Sequence, residues 1–217
     1  MTMRTEELIT HLSRGLKPVR RLPSPLAMLG IWCLFCAGVI GAALLVSGLR
    51  ADFAAWLMEG FDLYHLMSAA LVALTAGYAA FQLALPDRDQ RWALLPVPAV
   101  LGWLVTMGWG CLEDLARLGP EALQLGVSLP CLGFIVGLGV PMTLAIVLLT
   151  RHAALLRPVP VAALGGLSAA AFASLGLTLV HELNAAVMVL VWHGLAVLVV
   201  TCIGALSGPI LMQRAAG

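Results

Sequence analysis

VPVAALGGLSAAAFASLGLTLV, residues 159–180, is followed by HELN, 181–184, and then by AAVMVLVWHGLAVLVVTCIGAL, 185–206. Spanning a hydrocarbon core of roughly 30 Å takes about 20 apolar residues in a helix, and each of these runs is long enough. Fused, they make a stretch too long for one crossing. His181, Glu182 and Asn184 divide it, so the segment reads as two spans joined by a very short turn.

Outward from this pair, four earlier stretches have the same character: Leu26–Leu49, Leu63–Leu85, Trp92–Leu112 and Leu129–Thr150. No Lys, Arg, Asp or Glu falls inside any of the six runs. One such residue at mid-bilayer costs about 2.5–3.5 kcal/mol on the insertion scale, so six clean runs are a strong signal. Charged or Pro-containing breaks separate them at Arg50 to Asp62, Pro86 to Arg91, Glu113 to Ser128 and Arg151 to Pro158. The bulk numbers agree. The 217 residues are 61% hydrophobic and 11% charged, with a mean hydropathy of +1.01. A soluble domain carries about 25% charged residues, so this chain has too little polar surface to cover an aqueous core. The expected fold is all-α: a polytopic membrane protein of six transmembrane helices, with an N-terminal segment 1–25, a bundle 26–206 and a tail 207–217.

Orientation follows from the basic residues of alternate connections. Arg4, Arg14, Lys17, Arg20, Arg21, Arg88, Arg91, Arg151, Arg157 and Arg214 fall on one side, against Arg50 and Arg117 on the other. The positive-inside rule puts the richer side, and with it both termini, in the cytoplasm. The long polar lead and the five further runs argue against a removable signal peptide.

Gly133 and Gly137, and again Gly204 and Gly208, have the spacing that lets two helix backbones approach closely. They read first as packing within the bundle, with a homodimer seam as the alternative. Pro96, Pro98 and Pro141 read as kinks within spans.

The N-terminal segment has its own pattern. Thr5 is a plausible N-cap, Glu6 and Glu7 suit the positive end of the helix dipole, and Leu8, Ile9, Leu12 and Leu16 recur at helical spacing. Gly15 and Pro18 end the run, and Lys17, Arg20 and Arg21 follow. A helix of about three turns is marginal alone in water and needs a cover for its apolar face. The inner leaflet, the chain's own loops and a groove on a soluble partner are the three candidates.

At the opposite surface several reactive side chains share one depth: Cys111, Cys131, His65, His181 and Glu182. Cys111 and Cys131 can form a disulfide across their loop in an oxidising compartment. Alternatively Cys111, Cys131 and His181, with His65 or Glu182 as the fourth ligand, supply a tetrahedral site for a soft divalent metal. A third reading leaves them as unrelated residues at helix ends. Cys33, Cys36 and Cys202 lie within spans and read as structural. His193 is an ionisable group deep in a span, either a functional group or an imidazole bonded across to a neighbouring helix. No nucleotide loop, Ser/His/Asp arrangement or catalytic carboxylate pair is present, and no enzyme is expected.

Several of these features recur together in one family. RTEELI at 4–9 with LKPVRRLP at 16–23, Gly110-Cys111, CLGFI at 131–135 with Pro141, and Leu156-Arg157-Pro158 form part of the pattern; WHGLAV at 192–197 and GALSGP at 204–209 complete it. In order and spacing they resemble the six-span negative regulator of sigma-F family of bacterial anti-sigma factors, over the whole chain. The resemblance implies an inner-membrane protein that holds an extracytoplasmic-function sigma factor inactive until an envelope, redox or metal stress releases it. It implies no direct contact with nucleic acid and no resident cofactor beyond the metal just described. Glu6, Leu8, Ile9, Leu12, Leu16, Lys17, Arg20 and Arg21 become the expected sigma-docking residues. The family pattern also carries an outward cysteine pair used for sensing. Cys131 matches one member, but Glu182 stands where the second is common, after His181. Cys111 is then the substitute partner, or the site is a metal site that includes His181 and Glu182. The rival from another class is a small transporter or channel, for which the bundle offers few polar residues. A membrane thiol oxidoreductase would need an exposed C-x-x-C that this chain lacks.

Overall fold

Hydrocarbon offers no water to satisfy amide groups, so the apolar runs fold as helices that close their own hydrogen bonds. A computed structural model describes residues 4–14, 23–54, 60–123, 129–151, 153, 156–180 and 186–213. Its helices are α1 (Thr5–Arg14), α2 (Pro25–Ser47), α3 (Gly60–Leu83), α4 (Val97–Leu118), α5 (Leu129–Thr150), α6 (Pro158–Val180) and α7 (Ala186–Gln213). Single 3-10 turns occupy Gln90–Leu94 and Gly119–Leu123, and no strand occurs among the described residues. Six of the helices, α2 to α7, are long and apolar enough to cross a membrane.

The helix ends have local causes. Ser24 caps α2, its Oγ accepting from the Ala27 N–H at 3.3 Å, with Pro25 in the first turn. Gly48, at φ +82°, closes the same helix by donating its N–H to the Leu44 carbonyl, a conformation that costs glycine little. In α4 the prolines differ from expectation. Pro96 stands at the N-cap and Pro98 in the first turn, so they start a helix instead of kinking one. Proline's missing N–H is harmless there, because first-turn amides have no intrahelical acceptor. Asp89 caps the preceding 3-10 turn by accepting the Arg91 N–H at 2.8 Å. At its far end α4 runs past Glu113 and Asp114 to Leu118, supported by an Arg117–Glu113 ion pair at 2.7 Å. Charges end a membrane crossing without ending a helix. Pro141, by contrast, does lie inside its helix, α5.

The bundle is organised around α6, which packs against α2, α3, α5 and α7; α7 also reaches α4 and α5. Small residues make this possible. Gly165, Gly166, Ala169, Ala170, Ala171 and Ala173 are all buried on α6. A Cβ on Gly204 would lie 2.5 Å from the Ala162 carbonyl oxygen, and one on Gly208 would lie 2.7 Å from that of Pro158. The Gly204/Gly208 pair is thus a seam between α7 and α6, within one chain. A Cβ on Gly133 or Gly137 would meet nothing within 4 Å.

The flanks of the bundle are apolar as well. Leu45 is 91% and Val46 89% exposed, and Leu34, Val105, Leu198 and Leu206 are similarly uncovered. In water such a surface would associate; in lipid it is the expected exterior. The chain is a multi-pass membrane protein. Its connections sort to opposite ends: the Arg50 N–H donates to the Leu179 carbonyl at 3.0 Å, and Arg157 Nη1 donates to the Arg88 carbonyl at 2.6 Å. The connection after α2 therefore meets the end of α6, whereas the one before α4 meets the start of α6.

Candidate functional site

Two regions carry the residues singled out by sequence, and the structure treats them differently. The first is α1. Its cap is Arg4, one residue before the expected Thr5: the Leu8 N–H donates to the Arg4 carbonyl at 3.0 Å. Glu7 reaches back to accept the Arg4 N–H at 3.3 Å, the reciprocal half of a capping box. Acidic Glu6 and Glu7 stand in the first turn and basic His11 and Arg14 in the last, as the helix dipole favours. No residue of α1 is buried, and Leu8, Ile9 and Leu12 expose one apolar stripe. Leu16, Lys17, Arg20 and Arg21 lie outside the described residues.

The second region is the end of the bundle that holds Cys111 and Cys131. Cys131, on α5, is buried against Ile135, Ala173, Leu177 and Ala196, side chains of α5, α6 and α7. Cys111, on α4, is half-buried. Both are free thiols, and their helices share no extended interface among the described residues; α7 packs against each of them. His65 of α3 leans over the Trp103 ring of α4 at 6.1 Å between centroids. Beyond it, Ser68 Oγ and Thr106 Oγ1 lie 3.4 Å apart across the same seam. His181 and Glu182 lie outside the described residues. Among the described residues no three His, Cys, Asp or Glu side chains gather as a metal-holding group.

At this end Arg50 holds Asp52 by two hydrogen bonds, Nε to Oδ1 at 2.6 Å and Nη2 to Oδ2 at 2.7 Å. That bidentate contact lowers the Asp52 carboxyl below its ordinary pKa.

Inside the bundle, His193 is 1% exposed, and its Nδ1 lies 3.2 Å from Ser174 Oγ across the α6–α7 contact. The cross-helix reading of this histidine is the one the geometry fits. Three buried hydroxyls are committed to helix carbonyls: Thr143 to Gly139, Thr150 to Ile146 and Thr178 to Ser174. These three hydroxyls bond within their own helices. Ser168 bonds to two other helices, a role that sequence reasoning, which counts it only among the few Ser and Thr of the spans with Thr75, Ser174 and Thr178, does not reveal. Its signal was a hydroxyl flanked by small residues, Gly165-Gly166 before it and Ala169-Ala170-Ala171 after it.

A family model described as "Negative regulator of sigma F" matches residues 12–213, beginning inside α1 at Leu12 and covering nearly the whole chain. No curated protein and no solved structure matches. Six apolar helices of membrane-spanning length and a match of this extent point the same way: the chain belongs to the negative regulator of sigma F family, and it is a negative regulator of a sigma factor.

Proposed function

We propose that this protein is an inner-membrane anti-sigma factor, a regulator and not an enzyme, with both termini in the cytoplasm. It sequesters an extracytoplasmic-function sigma factor through residues 1–22. The observation that carries this reading is α1 itself: a capped amphipathic helix whose Leu8, Ile9 and Leu12 touch no core, in a protein otherwise embedded in lipid. An amphipathic helix laid into a groove is a recurrent docking mode, with anchors at this spacing. Support for the orientation comes from the excess of Arg and Lys in the segments placed inside.

Release is proposed to start at the other surface, by thiol chemistry at Cys111 and Cys131 or by a soft divalent metal held with His65, His181 and Glu182. Cys131 packs on both α6 and α7, so a bulkier or metal-bound sulfur there would press on the two most connected helices. The signal requires two packings of the bundle that differ in affinity for the sigma factor. Deleting residues 1–22 is the test. Co-purification of the sigma factor should be lost while membrane insertion persists, and retained binding would defeat the docking claim.

A further inference from the structure

Where the end of α3, the 90–94 turn and the start of α6 meet, a groove of about 430 Å³ opens. Leu83, Ala93, Leu156, Pro158 and Val159 make its walls apolar, and Arg157 and Gln90 are the polar residues of its lining. The mouth is uncovered: Leu156 is 73% exposed, and Leu94, beside Ala93, is exposed too. Arg157 is half-buried and pinned, with one N–H donated to the Arg88 carbonyl. Among the described residues no carboxylate lies within ion-pairing distance of Arg157 or of Arg91. The two acids of this rim are engaged locally, Asp89 as the cap of the Arg91 N–H and Asp87 beside Arg88 at 3.9 Å. Tyr78 and Trp92 meet edge-on with centroids 5.6 Å apart next to this turn, the aromatic pairing expected at headgroup depth.

We propose that this groove binds an anionic phospholipid, with the headgroup phosphodiester on Arg157 and an acyl chain along Leu156 and Val159. A guanidinium presents a planar fork of donors suited to phosphate, and here it is positioned in advance over an apolar trough. A zwitterionic lipid would bring its own cation towards Arg88, Arg91 and Arg157, which disfavours it. A free phosphate would leave the apolar walls uncovered. The inference depends neither on which surface faces the cytoplasm nor on sigma binding.

The test uses the full chain in mild detergent. Bound lipid is counted by native mass spectrometry with dioleoyl phosphatidylglycerol or dioleoyl phosphatidylcholine. The phosphatidylglycerol is expected to be retained about fivefold more, the scale of one interfacial basic residue. Arg157→Gln should erase that preference, and Arg117→Gln, at the other end of the bundle, should keep it. Ala93→Phe fills the groove with Arg157 intact and should lower retention of phosphatidylglycerol, which decides the matter if Arg157→Gln fails to fold. Inorganic phosphate should not displace the lipid. Equal retention of the two lipids by the unaltered protein overturns the proposal. So does a preference that survives Arg157→Gln, retention unaffected by Ala93→Phe, or displacement by inorganic phosphate.

Discussion

Trp32 and Ser168, 136 residues apart, meet inside the bundle: the indole Nε1 donates to Ser168 Oγ at 3.0 Å. Ser168 in turn donates to the Ala73 carbonyl at 2.7 Å, so two hydrogen bonds join α2, α3 and α6. Both side chains are fully buried. Gly77 makes the room, since a Cβ there would lie 2.9 Å from Ser168 Oγ and 3.3 Å from Trp32 Cδ1.

Ser168→Ala should therefore cost more than the loss of one small hydroxyl suggests. It leaves a buried indole N–H with no acceptor, and the expected loss is about 1–2 kcal/mol, in the upper range for polar contacts within membranes. Reversible unfolding in mixed micelles, followed by tryptophan fluorescence, measures it. A variant as stable as the parent would mean that the node carries no net energy.

The glycine pairs make opposite predictions from the same motif. Gly204→Ala drives a methyl towards the Ala162 backbone, which cannot rotate away as a side chain can. The expected destabilisation is about 1–3 kcal/mol, the usual cost of overpacking. Gly133→Ala and Gly137→Ala face open space and should be neutral or slightly stabilising through helix propensity. Equal losses at both pairs in the same unfolding assay would contradict the packing of α7 on α6.

The contrast between these pairs shows what was legible in the sequence. Six spans were, because lipid demands long uncharged runs, and the break at 181–184 agrees with α6 ending at Val180 and α7 starting at Ala186. The choice of α6 as the hub was hidden. Spacing says that Gly204 and Gly208 admit a close neighbour, but not which helix supplies it. Pro96 and Pro98 were misread because hydropathy reports the solvent around a residue, not its place in a hydrogen-bonding ladder. Candidate sensor residues could be placed at one depth by topology alone. Whether they converge depends on helix neighbours, and α7 packs on the helices of both Cys111 and Cys131.

That arrangement predicts unequal thiol reactivity. Cys111 is half-buried near the end of the membrane crossing, whereas Cys131 is buried between helices. A water-soluble maleimide applied outside intact cells should label Cys111 several-fold faster than Cys131. Cys202 is exposed on the middle of α7, where lipid would cover it, and should resist the same reagent. Faster labelling of Cys131 than Cys111 would show that α5 is seated differently.

Asp52 gives a pH prediction with a definite sign. Its folded carboxyl titrates below its ordinary value because Arg50 hydrogen-bonds the charged form. Such a group contributes stability that is present above the unfolded pKa and is lost as pH falls through the lowered folded one. The tie between the α2 end and the α6 end should be constant from neutral pH down to about pH 4 and weaken below it. Asp52→Asn should remove that acid-dependent part. An acid limb of the unfolding profile identical in parent and variant would assign the weakening to another carboxylate.

The α1 stripe separates docking on protein from docking on lipid. Leu8, Ile9 and Leu12 are 43%, 60% and 62% exposed, and a helix of 10 residues is marginal without a cover. Burying one leucine contributes about 1.5–3 kcal/mol, so Leu12→Asp should weaken sigma-factor binding at least about tenfold. Arg14→Gln, on the opposite face of the helix, should change it little. Binding is measured with the full-length protein in nanodiscs against the purified sigma factor. If the inner leaflet is the cover instead, Leu12→Asp frees the segment from the bilayer and exposes it to protease, yet leaves sigma affinity where it was. Unchanged affinity with new cleavage near Arg14 would place the stripe on lipid and move the docking surface to the cytoplasmic connections.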